Sequence, residues 1–163
     1  MALRRLHLLV LLLPFLLAGT ATGFMFEGTV VRVVDGDTIQ VQLADRVEKI
    51  RYIGVNTPEI HHPIKGREPG GRQAAQVNQG LVGGRRVRLE LDVQTRDRHG
   101  RLLAYVWIGD TMVNAELVRL GYAQVMTVPP NVRYQELFVK LQREARDANR
   151  GLWRSTEQAV KPS

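Results

Sequence analysis

The stretch VVDGDTIQVQLADRVEKIRYIGVNTPE, residues 33–59, decides how the chain folds. After the tight turn Asp35-Gly36-Asp37, Ile39, Val41 and Leu43 alternate with polar residues. A second turn, Ala44-Asp45-Arg46, leads into residues 47–53, which are again rich in β-branched and aromatic side chains. A period of two between Asp and Gly turns marks short antiparallel strands, because successive side chains of a strand point to opposite faces. Just upstream, FMFEGTVVRVV (residues 24–34) reads as a preceding strand, with Gly28 as a bulge or bend. Three consecutive strands in a meander predict a sheet that curls toward a barrel.

The same stretch carries the chemistry. Asp35, Asp37 and Glu59 fall at strand ends or in turns, and Arg51 lies within an apolar strand, so short strands bring all four together. Clustered oxygen donors suit a hard cation, Ca²⁺ or Mg²⁺, and a guanidinium aimed at the same place suits phosphate. Taken singly, each element has a plain structural reading. Asp35-Gly36-Asp37 could be only a turn, Thr57-Pro58-Glu59 a helix cap, Arg51 an exposed strand residue and Arg101 the solvated end of a hairpin.

Downstream, residues 56–71 hold three prolines and three glycines without periodicity, a loop long enough to be functional. A helix is predicted over residues 72–82, with Ala74, Val77 and Leu81 on one face and Gly83-Gly84 ending it. Residues 86–93 alternate as a fourth strand, with Val87, Leu89, Leu91 and Val93 inward and Arg88, Glu90 and Asp92 outward. The polar turn TRDRHGR leads to a strand at residues 102–108, and Gly109-Asp110 turns it back into residues 111–113. Asn114 is placed to cap a short helix that Gly121 ends. Residues 127–132 are a loop, and a last helix at residues 134–148 sets Leu137, Phe138, Leu141, Ala145 and Ala148 on one stripe. The expected class is α+β, mainly β: a five-stranded barrel with about three packed helices.

Composition bounds the rest. Residues 1–23 combine Arg4 and Arg5, an apolar run at residues 8–17 and small residues up to Gly23, the layout of an export signal. That run is about half the roughly 20 residues of a spanning helix, and Pro14 interrupts it, so cleavage near Gly23 is expected and a retained anchor is the rival. The organisation read from the chain is a signal at residues 1–23, one domain at residues 24–154 and a polar tail at residues 155–163. Zero cysteines exclude disulfides and an N-terminal lipidated cysteine. Without Arg4 and Arg5, 21 basic residues face 16 acidic ones, and 19 of the 23 basic residues in the whole chain are arginine. That bias favours bidentate contacts to a polyanion such as a nucleic acid. His61-His62 invite a transition-metal reading, although adjacent histidines before a proline are more simply surface residues.

Five motifs in register resemble the staphylococcal-nuclease-like (thermonuclease) family: DGDT at residues 35–38, RYIGVNTPE at 51–59, DRHGR at 97–101, LAYV at 103–106 and MVNAELVRLG at 112–121. The resemblance covers residues 27–153. It implies an OB-fold enzyme that cleaves DNA and RNA phosphodiesters with little sequence preference, uses Ca²⁺ and leaves 3′-phosphate ends. It further implies that Asp37 is a direct metal ligand, that Thr57 offers its backbone carbonyl and that Asn56 stands at a metal-ligand position. Glu59 becomes the general base, Arg51 and Arg101 the phosphate clamp, and Arg98 and His99 substrate contacts. An exported monomer with nucleic acid as its partner, and no protein partner, is expected.

Two departures from the family stand out. Asn56 replaces an aspartate, which removes one negative charge from the cation site and predicts weaker metal binding. Thr127, Val128 and Pro129 occupy the loop where relatives present tyrosines, so one stacking platform is missing. The residues therefore leave two alternatives to the enzyme: an OB-type nucleic-acid-binding module that is catalytically weak or inactive, and an envelope protein binding polyanions without Ca²⁺.

Overall fold

The computed structural model describes residues 24–60, 66 and 68–154. Strands β1 (Met25–Asp35), β2 (Thr38–Gln42) and β3 (Val47–Tyr52) form the expected meander, joined by the two turns read from the sequence. Short β4 (Val55–Asn56) precedes helix α1 (Gly71–Val82), which is followed by β5 (Arg86–Glu90) and β6 (Leu102–Ile108). Then come β7 (Thr111–Met112), α2 (Val113–Arg119), β8 (Gln124–Val125), α3 (Gln135–Asp147) and a single 3₁₀ turn (Gly151–Trp153).

The main sheet runs β3-β2-β1-β5-β6-β7, and β3 also pairs in parallel with β6 through Ile50↔Leu102, Arg51↔Leu103 and Tyr52↔Ala104. That pairing closes β1, β2, β3, β5 and β6 into the five-stranded OB-fold barrel, which leaves none of the five as a free edge. Its interior is filled by Val30, Ile39, Val41, Ile50, Val87, Leu89, Ala104 and Val106, all at most 3 % exposed. Burial of such aliphatic side chains is worth about 1.5–3 kcal/mol each before the entropy of ordering is counted. The helices lie outside the barrel, with α1 against β1 and α2 against α3, and Phe138 of α3 is fully buried beside Tyr105. Among the described residues no helix is long and apolar enough to cross a membrane.

Several expectations need correction. Gly28 is not the bulge. The register of β1 shifts between Val30 and Arg32 and between Val33 and Asp35. Gly28 is instead a point of close approach, where a Cβ would come within 2.5 Å of the Gln42 carbonyl oxygen and of Val41 Cγ1. Strand β5 stops at Glu90, so the alternation read through Val93 breaks: Val93 is 72 % exposed and Glu90 only 5 %. Glu90 is buried because Tyr134 and Arg133, near the start of α3, and Trp107 of β6 all donate to its carboxylate. Asn114 is no cap. It lies inside α2, fully buried, accepting from the Val106 amide and donating to the Ile53 carbonyl, so it ties the helix to the barrel. On α3, Phe138 and Ala145 are buried, but Leu137 and Ala148 are exposed. The β4–β8 ribbon was not foreseen; it pairs Val55 with Val125 and Asn56 with Gln124. The N-terminal segment, His61-His62 and the tail lie outside the described residues.

Candidate active site

Thr38, the first residue of β2, pairs with Arg51 of β3, so the register of two strands places the Asp35-Gly36-Asp37 turn beside the arginine. Folding then adds the 57–59 segment on top. The Thr57 amide and hydroxyl both donate to Asp37 Oδ2, at 2.8 and 3.1 Å, and the Thr38 hydroxyl donates to Oδ1 at 3.0 Å. Gly36 permits this contact: a Cβ there would sit 2.6 Å from Thr57 Oγ1 and 2.8 Å from Ala74 Cβ. The glycine is required by space rather than by a positive φ.

Arg51 is 8 % exposed and held from several sides. Its Nη1 donates to the carbonyls of Tyr52 and Val55, both at 2.8 Å, and its Nη2 donates to Asn56 Oδ1 at 3.0 Å and lies 3.3 Å from Asp37 Oδ2. Burial lowers the Arg51 pKa, Asp37 opposes that shift, and nearby Arg101 adds to it. Two guanidinium groups thus act on one small volume.

Arg101 belongs to the turn before β6. Asp97 organises that turn, accepting from the amides of His99 at 2.9 Å and Arg101 at 3.0 Å through Oδ1, and from Arg101 Nε at 2.6 Å through Oδ2. Burial alone would raise the Asp97 pKa, but the bonds from Arg101 and from the two backbone amides outweigh it and the net shift is downward. With Nε committed to Asp97, the two terminal amino groups of Arg101 make no hydrogen bond among the described residues. They are the part of the guanidinium left to grip an anion. Arg98 and His99 lie at the tip of the turn, where Arg98 Nε donates to His99 Nε2 at 3.1 Å.

All eight of the site residues read from the sequence are therefore near one another, and Asp37, Arg51, Asn56, Glu59, Arg98, His99 and Arg101 line one cavity of about 580 Å³; Thr57 stands behind Asp37. Asp35, whose role the sequence left open, lines it too. Its pKa is raised, chiefly by burial and further by the charges of Asp37 and Glu59. Asp35 thus feels both neighbouring carboxylates, a repulsion that a bound cation would relieve. Among the described residues no three His, Cys, Asp or Glu side chains form a ready-made metal cage. The donors that are present, two aspartates, a glutamate, an amide oxygen and a backbone carbonyl, are all hard oxygens and fit Ca²⁺ rather than a thiophilic metal.

Sequence reasoning missed the support behind the acidic turn. Asn78 of α1 is fully buried; it accepts from the Tyr52 hydroxyl at 2.9 Å and donates to the Asp35 carbonyl at 3.0 Å. A polar residue four positions from both Ala74 and Val82, on the otherwise apolar buried face of α1, was the available signal. The mouth of the cavity carries Met126 and Val128, 45 % and 53 % exposed, in the loop where the tyrosines are absent.

A closed five-stranded barrel bearing a cleft of facing carboxylates and guanidinium groups defines an OB-fold protein built to hold a phosphodiester. The chain belongs to the staphylococcal nuclease family: residues 49–155 match the model described as staphylococcal nuclease homologue. It is 38 % identical to the thermonuclease of Staphylococcus hyicus over 86 % of this chain and 83 % of that one. It is 40 % identical to the thermonuclease of Staphylococcus intermedius over 76 % and 74 %. Endonuclease YncB of Bacillus subtilis is 36 % identical over 77 % of this chain and 60 % of its own length. The protein is a nuclease, a hydrolase of nucleic-acid ester bonds.

Proposed function

We propose that the protein is an exported, monomeric, Ca²⁺-dependent endonuclease that hydrolyses DNA and RNA with little sequence preference and leaves 3′-phosphate ends. One observation carries this reading: Glu59, Asp37, Arg51 and Arg101 line a single cavity in which carboxylates face guanidinium groups. Export rests on the pattern of residues 1–23 alone.

The roles are those the family resemblance implies, and the shared cavity supports them. Asp37, the Thr57 carbonyl and Asn56 would hold Ca²⁺, with Asp35 adding negative charge beside them. Bound there, Ca²⁺ supplies positive charge that stabilises the negative oxygens of the reacting phosphate. The Glu59 carboxylate makes no hydrogen bond to a described side chain and is ready to accept a proton from water. The water oxygen then forms its bond to phosphorus while the bond from phosphorus to the 5′-oxygen breaks. That oxygen takes a proton from solvent, and Glu59 releases the one it accepted. Arg51 and the free end of Arg101 neutralise charge on the non-bridging oxygens in the phosphorane-like transition state, where losing one such donor costs about 2.7–4 kcal/mol. Because Arg51 is locked by two carbonyls and Asn56, it is oriented before substrate arrives. Arg98 and His99 touch the chain beside the scissile phosphate.

The test is cleavage of end-labelled single-stranded DNA and RNA by the full-length protein across a Ca²⁺ titration with a chelator control, followed by analysis of the product ends. Ca²⁺-dependent cleavage of both polymers to 3′-phosphates is expected. Binding without cleavage at every Ca²⁺ concentration would replace the enzyme with a binding module.

A further inference from the structure

Arg101 reaches the cleft from a turn, and a turn needs an anchor. The hairpin around it is closed by an antiparallel bridge between Arg96 and Leu102 and by the Leu103 amide donating to the Thr95 carbonyl at 2.8 Å. Its tip, residues 97–101, is organised internally by Asp97, but those bonds do not tie it to the barrel. Arg96 does. Its Nη1 donates to the Gly100 carbonyl at 2.7 Å and to Glu48 Oε2 at 3.1 Å, and its Nη2 donates to Glu48 Oε1 at 2.8 Å. Glu48 stands on β3, three residues before Arg51, with its side chain only 12 % exposed. One strand therefore carries Arg51 directly and holds Arg101 through a two-pronged ion pair.

We propose that Glu48 and Arg96 are positioning residues for the phosphate clamp, fixing the 97–101 turn on β3 so that the free end of Arg101 faces the same phosphate as Arg51. This rests on the clamp role of Arg101 proposed above. A fork of two N–H groups to one carboxylate fixes direction as well as distance, and the third bond to the Gly100 carbonyl passes that direction to the tip of the turn. The Arg96 bonds, with those of Arg46, hold the Glu48 carboxyl down at about 2, so the fork stays charged throughout the neutral range. Arg46 supplies an internal control. It also pairs with Glu48, through Nε at 2.7 Å, but makes no hydrogen bond or ion pair with the described residues 97–101.

The test uses the full-length protein with Arg96→Ala, Glu48→Gln and Arg46→Ala, each alone and combined with Arg101→Ala. Two quantities are read: kcat and KM on single-stranded DNA at saturating Ca²⁺, and amide hydrogen exchange at His99, Gly100 and Arg101 against the strand amides of β5. Arg96→Ala is expected to lower kcat about tenfold or more with KM changed less than about threefold, since a transition-state contact is lost rather than uniform binding. It should also speed exchange in the turn by about tenfold while β5 stays protected. Glu48→Gln should follow in the same direction, Arg46→Ala should do neither, and in the Arg101→Ala background Arg96→Ala should have no further effect on kcat. Unchanged exchange in the turn, an equal kcat loss with and without Arg101, or an Arg46→Ala effect as large as that of Arg96→Ala would each overturn the proposal. If the wild-type protein cleaves nothing, the proposed function fails by itself, and the exchange measurement alone decides whether the ion pair anchors the turn.

Discussion

In the proposed cation site, replacing Asn56 by aspartate adds one negative charge, and Coulomb's law sets the size of the effect. Asn56 is exposed at the end of β4, and its amide oxygen already points at the cleft, accepting from Arg51 Nη2 at 3.0 Å. A carboxylate fits the same space, so the change is almost purely electrostatic. Two unit charges about 4 Å apart interact by about 1 kcal/mol at the dielectric of water, so a divalent cation gains about 2 kcal/mol. That corresponds to roughly 30-fold in Kd, and the share of the new charge taken by Arg51 trims it toward about tenfold. The assay is calorimetric Ca²⁺ titration of wild type, Asn56→Asp and Asn56→Ala without nucleic acid at fixed ionic strength. The Ca²⁺ concentration for half-maximal cleavage should move in parallel. Affinity that rises in Asn56→Asp and falls in Asn56→Ala is expected. A Kd within about threefold of wild type in both variants would show that position 56 does not face the cation, and would refute this reasoning.

Other perturbations probe separate parts of the site. Arg101→Lys keeps the charge but cannot hold Asp97 with one nitrogen while offering two others to phosphate, so kcat should fall about 100-fold with little change in melting temperature. Asn78→Leu leaves the buried Tyr52 hydroxyl and the Asp35 carbonyl without partners and should cost about 1–3 kcal/mol of stability. Combining it with Tyr52→Phe should cost less than the sum of the two single changes, which thermal unfolding would read. Glu48 titrates at about 2 in the folded protein, against 4.5 for the unperturbed group. A depressed carboxylate contributes stability that is present above its unfolded pKa and lost as pH falls through the folded one. Wild type should therefore lose more stability than Glu48→Gln between pH 4.5 and about 2, by roughly 1 kcal/mol once solvent screening of the partly exposed arginines is allowed for.

The barrel was legible because β2 alternates and because the turns Asp35-Gly36-Asp37 and Ala44-Asp45-Arg46 separate its first three strands. The acidic turn and the 57–59 segment were legible because each combines its chemistry with a local backbone signal. What stayed hidden depends on contacts between residues far apart in the chain. Asn78 meets Asp35 across 43 positions, and Arg96 meets Glu48 across 48. No local pattern encodes either meeting. Glu90 and Val93 were misassigned for a related reason: strict alternation assumes a strand that continues, whereas β5 ends and α3 brings Tyr134 and Arg133 over the outer face. Asn114 had the residue type of a cap but stands two residues past the N-cap, where the barrel offers it the Ile53 carbonyl and the Val106 amide, and those bonds hold it in the core.

The central claim is that Glu59 activates water in a cleft already organised by Asp37, Arg51 and Arg101. Its most direct test is single-turnover cleavage of labelled single-stranded DNA by Glu59→Gln at saturating Ca²⁺, with DNA affinity measured on the same sample. A fall in cleavage rate of about 100-fold or more with affinity within about threefold of wild type is predicted, because the amide keeps the shape and loses only the base. A rate within about threefold of wild type would contradict the account, since proton transfer would then lie elsewhere.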